Sequence, residues 1–121
     1  TNFLEGEIVR TGGGTLLVRT RIGELAGVAG DPESSFKDGQ AVTVSIRPEC
    51  IKLETFPVEE NGFPGHIGES VYYGELARYE FLSGEDVPLK IFELNPRYLN
   101  RSGQEGLYAY VDPDDVVVLE K

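Results

Sequence analysis

The sequence has no methionine and no tryptophan, one cysteine (Cys50) and one histidine (His66). Each scarcity excludes something. A lone cysteine cannot close an internal disulfide, so no disulfide framework holds this fold and a reducing setting is expected. A lone histidine with no cysteine near it leaves no zinc ligand set. No spacing ties Cys50 to His66 as a nucleophile–base pair, so Cys50 reads as a small, inert thiol. No apolar run approaches the roughly 18 residues that cross a bilayer. The opening residues, Thr1 to Arg10, carry neither a basic nor an apolar stretch of the signal-peptide kind. With no initiator methionine, the chain reads as a piece of something longer. Basic side chains are also few, 11 against 21 acidic ones, for a net charge of −10. A phosphate-binding surface needs a basic stripe, and none is visible, so nucleic acid and direct membrane insertion are not expected.

What is present points to strands. Fifteen glycines and seven prolines are spread along the 121 residues, which leaves little room for long helices. Apolar residues recur at alternate positions: Val42, Val44 and Ile46; Leu16, Val18 and Ile22; Ile67, Val71 and Tyr73; Ala77, Tyr79 and Phe81; Leu89 and Ile91; Leu107, Ala109 and Val111. Arg10 to Leu16 reads as a tight hairpin whose glycines accept positive φ. Ala29 to Gln40 reads as a surface loop, and Glu54 to Gly65 as the connection between two halves. Asn95 to Gly106 is read as holding one helical turn. The expectation is an all-β chain of about eight to ten short strands.

The halves repeat. Gly6-Glu7-Ile8 opens the first, and Gly65-His66-Ile67 opens the second. The first closes on Ser45-Ile46-Arg47-Pro48-Glu49-Cys50-Ile51-Lys52-Leu53, and the second on Tyr110-Val111-Asp112-Pro113-Asp114-Asp115-Val116-Val117-Val118. These align without a gap: apolar strand, charged residue, proline, acid, new apolar strand. Proline fixes φ and removes a ladder donor, so each run reads as a corner where the chain leaves one pairing and begins another. Two related β units, about 1–54 and 63–121, are expected to share one core within a single domain.

Four segments together resemble the C-terminal TOBE-type, oligonucleotide/oligosaccharide-binding (OB) regulatory region of importer-type ABC transporter ATPases. They are Asn2 to Val9, Val44 to Leu53 with its Arg-Pro-Glu, Tyr72 to Phe81, and Tyr110 to Leu119. The resemblance implies an OB-fold-like (TOBE) small barrel and a non-catalytic role in regulation and homodimerisation of the ATPase. It implies a second copy of the chain, its own N-terminal ATPase domain and transmembrane permease subunits as partners. It also implies a cytoplasmic place on the inner face of the membrane, with ATP and Mg²⁺ as cofactors of the full-length protein only. No G-x-x-x-x-G-K-[ST] is present, so no phosphate loop exists in this stretch and no cofactor or catalytic residue is expected in it. A small oxyanion- or solute-binding TOBE module is the alternative. The family serves polyamine, iron(III) and sugar import, and the sequence does not choose among them.

The candidate interface residues are Ser45, Arg47, Pro48 and Glu49 at the first corner, and Tyr108 and Tyr110 on the face opposite Leu107, Ala109 and Val111. Asp112 replaces Arg47 in the second corner. The two corners therefore cannot make the same contact, since only arginine offers a bidentate fork. The Thr11–Gly14 run reads as a turn, because no helix or lysine follows to make it a phosphate nest. Asp112, Asp114 and Asp115 read as a solvated turn, too few and too stiffened by Pro113 for a Ca²⁺ loop. Tyr72, Tyr73, Tyr79, Phe81 and Tyr98 join Tyr108 and Tyr110 as core and interface packing. Base stacking on them is opposed by the net charge.

Overall fold

A computed structural model describes residues 1–84, 87–94 and 106–121. The described residues form strands and two short 3₁₀ turns: β1 (Asn2–Gly12), β2 (Thr15–Thr20), β3 (Gly23–Ala29), β4 (Ala41–Ile46), the turn Pro48–Cys50, β5 (Ile51–Glu54), β6 (Gly62–Tyr73), β7 (Leu76–Ser83), β8 (Val87–Leu94), β9 (Leu107–Val111), the turn Pro113–Asp115 and β10 (Val116–Glu120). The chain is all-β. The helical turn expected between Asn95 and Gly106 falls almost wholly outside the described residues, as does Tyr98.

Alternation translates directly into burial. Val42, Val44 and Ile46 on β4, Tyr79 and Phe81 on β7 and Ala109 and Val111 on β9 are buried, while the residues between them face outward or are half-covered. The glycine run makes the expected hairpin: Gly13 and Gly14, at φ 59° and 81°, join β1 to β2. One parity expectation fails. Ile67 is buried, but the register of β6 against β7 shifts between Ile67 and Glu69, so Tyr73 is turned outward and 57% exposed. A bulge adds one residue and reverses the face of everything beyond it, which simple alternation cannot foresee. The connection between halves is also shorter than expected, because β6 already begins at Gly62 and pairs Phe63 to Gly65 with β9.

Strands β1-β2-β3-β10-β4 close into a barrel, and β5-β9-β6-β7-β8 form a second five-stranded sheet. The strands after the two proline corners are exchanged. β5 follows the first unit in sequence but pairs with β9 of the second, while β10 ends the second unit but pairs with β4 antiparallel and β3 parallel in the first. Each corner is thus a crossover between units, and buried side chains from both sheets form one core.

Two asparagines reinforce the exchange. The Asn2 amide donates to the Lys90 carbonyl and accepts from the Lys90 N–H, both at 2.8 Å. The Asn61 amide makes the same two bonds, also at 2.8 Å, with Ala26. Asn2 opens β1 and clamps β8; Asn61, just before β6, clamps β3. Each side chain acts as one residue of extra strand on the edge of the other unit. Both are buried, at 7% and 6% exposure, where a polar group without partners would be costly. They stand at the same offset before Gly6 and Gly65.

The units differ at one seam. In the barrel, β3 and β10 close by pairing Val28 with Val117 and Ala29 with Val118. Aligned on the clamped residues Ala26 and Lys90, Gly27 corresponds to Ile91 and Gly30 to Leu94. A Cβ on Gly27 would stand 2.6 Å from the Val116 carbonyl oxygen, and one on Gly30 would stand 2.7 Å from the Leu119 side chain. Bare backbone at these positions lets β3 and β10 approach within hydrogen-bonding distance. In the second sheet Ile91 and Leu94 carry bulk there, and no ladder joins β8 to β5 among the described residues.

Candidate functional site

The first corner is built by proline geometry. Arg47 is extended (φ −74°, ψ 136°), Pro48 takes the first position of the 3₁₀ turn, and the Ile51 N–H returns to the Pro48 carbonyl. The Cys50 N–H donates to the Arg47 carbonyl at 3.0 Å. Pro48 is buried, so it belongs to the fold, whereas Arg47 and Glu49 are exposed on either side of it. The second corner has the same backbone but spends its charged residue locally: the Asp112 carboxylate accepts the Asp114 N–H at 2.9 Å. Arginine has no acceptor, and Arg47 makes no side-chain cap. Neither the Arg47 nor the Glu49 side chain is engaged in a hydrogen bond or ion pair with the other described residues.

The remaining candidates divide. Ser45 lies on β4 between Phe3 of β1 and Val117 of β10, on the outside of the barrel and away from the seam. Tyr108 and Tyr110 are half-buried on the outward face of β9, opposite Glu54 and Lys52 of β5. The structure therefore brings Glu49 and Tyr110 together and leaves Ser45 apart. They meet at the open seam, a groove of about 840 Å³ between β5 and β8 whose lining includes Glu49, Lys52, Glu54, Phe92, Glu93 and Tyr110. The Glu93 carboxylate, part of that lining, accepts the hydroxyl of the buried Tyr79 at 2.8 Å. The alternation of Leu89 and Ile91 marks β8 as a strand, but no local signal says that it ends at a sheet edge, so this groove is not legible in the sequence.

A second cleft, of about 480 Å³, lies where Thr1, Asn2 and Phe3 meet β6, β7 and β8. Arg78 and Lys90 line it together with Glu69 and Glu80, so its charge is mixed. Of the remaining aromatics, Tyr79 and Phe81 are fully buried, Phe81 packs edge-on against Phe63 at 5.9 Å and Tyr72 packs edge-on against Tyr79 at 6.4 Å, while Tyr73 is exposed. No group of three or more metal-ligating side chains occurs among the described residues.

Cys50 is half-buried beside the first corner. Burial pushes its thiol pKa up, and the nearby Asp115 and Glu49 carboxylates push it further. The thiolate is the reactive form, so the folded chain should alkylate more slowly at pH 8 than the same chain in denaturant, with a rate still climbing at higher pH. Equal rates in stopped-flow alkylation would contradict this environment.

The closed barrel with its paired five-stranded sheet, their strands exchanged at two proline corners, is a TOBE-type, OB-like fold. Among solved structures, the cytoplasmic molybdate-binding protein ModG, in a form crystallised with molybdate bound, is similar at a TM-score of 0.82 and 12% sequence identity, over 99% of this chain and 96% of that one. The likeness is one of fold. No family model matches the sequence, and no curated protein matches it. No helix among the described residues is long and apolar enough to cross a membrane.

Proposed function

We propose that this chain is a non-catalytic regulatory and dimerisation module of an importer-type ABC ATPase subunit. The observation that carries the reading is the first corner. Its proline is buried and its turn is complete, yet Arg47 and Glu49 project from it, exposed and unused by the fold. The equivalent charge in the second corner is consumed as a cap. An exposed Arg–Glu pair on a rigid corner is a preorganised contact for a second copy or for the ATPase domain. Regulation would then be a population shift: a partner or ligand favouring one arrangement of these modules biases whether the attached motors close.

Arg47→Ala should leave the melting temperature within about 3 °C of the parent, because surface changes away from structural features cost within roughly 0.5 kcal/mol. It should weaken concentration-dependent dimerisation at least several-fold in sedimentation at low salt. A parent chain that stays monomeric at every concentration, or a dimer indifferent to Arg47→Ala, would remove the corner from the interface.

The likeness to ModG favours a second reading, a small oxyanion-binding module. The cleft holding Arg78 and Lys90 is where two cations could receive such an anion. Calorimetric titration with molybdate, on the parent and on Arg78→Ala, tests it: heat in the parent alone supports the reading, and no heat in either rejects it.

A further inference from the structure

The edge of β8, which has no strand partner among the described residues, offers a docking surface that shares only Glu49 with the proposed regulatory contact. The bonds to Asn2 fix which way that edge points. The N–H and carbonyl of Lys90 face away from β7, because the Asn2 side chain takes both. Backbone direction repeats every second residue, so Pro88, Phe92 and Leu94 present the same edge. Pro88 has no N–H, which blunts one end, and Asn2 covers Lys90. Phe92 and Leu94 remain, facing the groove. Their counterparts in the barrel, Val28 and Gly30, are occupied by β10: Val28 pairs with Val117, and the Gly30 N–H donates to the Val118 carbonyl at 2.9 Å. The Phe92 N–H and carbonyl have no such partner among the described residues.

The groove beside this edge has an apolar floor that includes Ile51, Leu53 and Ile91, and Leu94 at its mouth is 72% exposed. Among the described lining residues the charged side chains are Glu49, Glu54, Glu93 and Lys52, and the Glu93 carboxylate already receives the Tyr79 hydroxyl, which leaves Glu49 and Glu54 as the acids facing an occupant. A second copy would bring the same carboxylates to the same place, so charge complementarity selects a different occupant. We infer that the seam between β5 and β8 docks a short extended segment of a partner protein, with alternating apolar and basic residues, added as a strand along Phe92 and Leu94. Backbone bonds to the edge supply the pairing. Apolar side chains entering the floor and Lys or Arg meeting Glu49 and Glu54 supply selectivity.

The test uses the 121-residue chain with two acetylated hexapeptides, one alternating Lys and Val and one alternating Glu and Val, followed by amide hydrogen exchange in NMR. The Lys–Val peptide should slow exchange of the Phe92 amide at least about ten-fold, and the Glu–Val peptide should leave it unchanged. Reversing the rim charges with Glu49→Lys and Glu54→Lys should weaken Lys–Val binding about ten-fold or more while melting stays as in the parent. An unprotected Phe92 amide at saturating Lys–Val peptide, or equal binding of both peptides, would overturn the inference. If 1,5-diaminopentane displaces the peptide and Phe92 gains no protection from either, the groove is a small-cation site and strand addition is excluded.

Discussion

A Gly27→Val chain should lose about 3 kcal/mol of stability or more, at the upper end of overpacking costs, because the clash is with backbone and not with a yielding side chain. The added Cβ alone would lie 2.6 Å from the Val116 carbonyl oxygen and 2.8 Å from the Val116 side chain. To admit it, β10 must move away from β3. The short parallel pairing of Val28 with Val117 and Ala29 with Val118 is then lost, and with it the closure of the barrel. Domains of this size hold only about 5 to 15 kcal/mol in total, so the loss is a large share. Urea titration measures it. Amide exchange locates it: the Gly30 N–H, bonded to Val118, should lose protection first. A parent-like midpoint, or protection lost elsewhere, would show that the seam is not held by close backbone approach.

Asn61→Ala should cost about 2 to 4 kcal/mol. Two causes add. Removing the amide leaves the Ala26 N–H and carbonyl without partners in a partly buried place, at about 1 kcal/mol or more each. Asn61 also sits at φ 53°, a left-handed conformation that asparagine tolerates and alanine resists by about 1 kcal/mol. Asn61→Gly separates the two, since glycine restores the backbone freedom but not the bonds. It should recover about 1 kcal/mol relative to alanine. Equal stabilities for Ala and Gly would remove the conformational part, and two parent-like variants would mean the clamp is idle. Asn2→Ala, with the same bonds but no left-handed backbone, should cost less than Asn61→Ala.

Much of this was open to reading from one dimension. Alternation placed Val42 to Ile46, Ala77 to Phe81 and Leu107 to Val111 in strands with the correct faces inward, because burial on a sheet has a period of two wherever no bulge intervenes. Gly13 and Gly14 announced their turn by needing positive φ. The repeated proline corners announced themselves as interruptions. The asparagine clamp left a signal too, Asn2 and Asn61 at one offset before Gly6 and Gly65, but a repeat search begun at the glycines passes over it. An isolated asparagine also reads locally as a turn residue. At the candidate site, sequence marked Arg47 and Glu49 as charged residues astride a proline. That the proline is buried while its neighbours are unused needed coordinates.

The sequence by itself determined the class of fold, the inward and outward faces of most strands, and the doubling of the unit. These follow from local chemistry: side-chain alternation, proline's missing donor and glycine's freedom. Only the tertiary structure decided that the strands after the corners change units, that each unit clamps the other through an asparagine, and that one unit closes while, among the described residues, no ladder closes the other. Those outcomes depend on how near two backbones can come. Gly27 and Ile91 both fit an inward strand position, yet one admits a neighbouring carbonyl at contact distance and the other fills that space with its side chain.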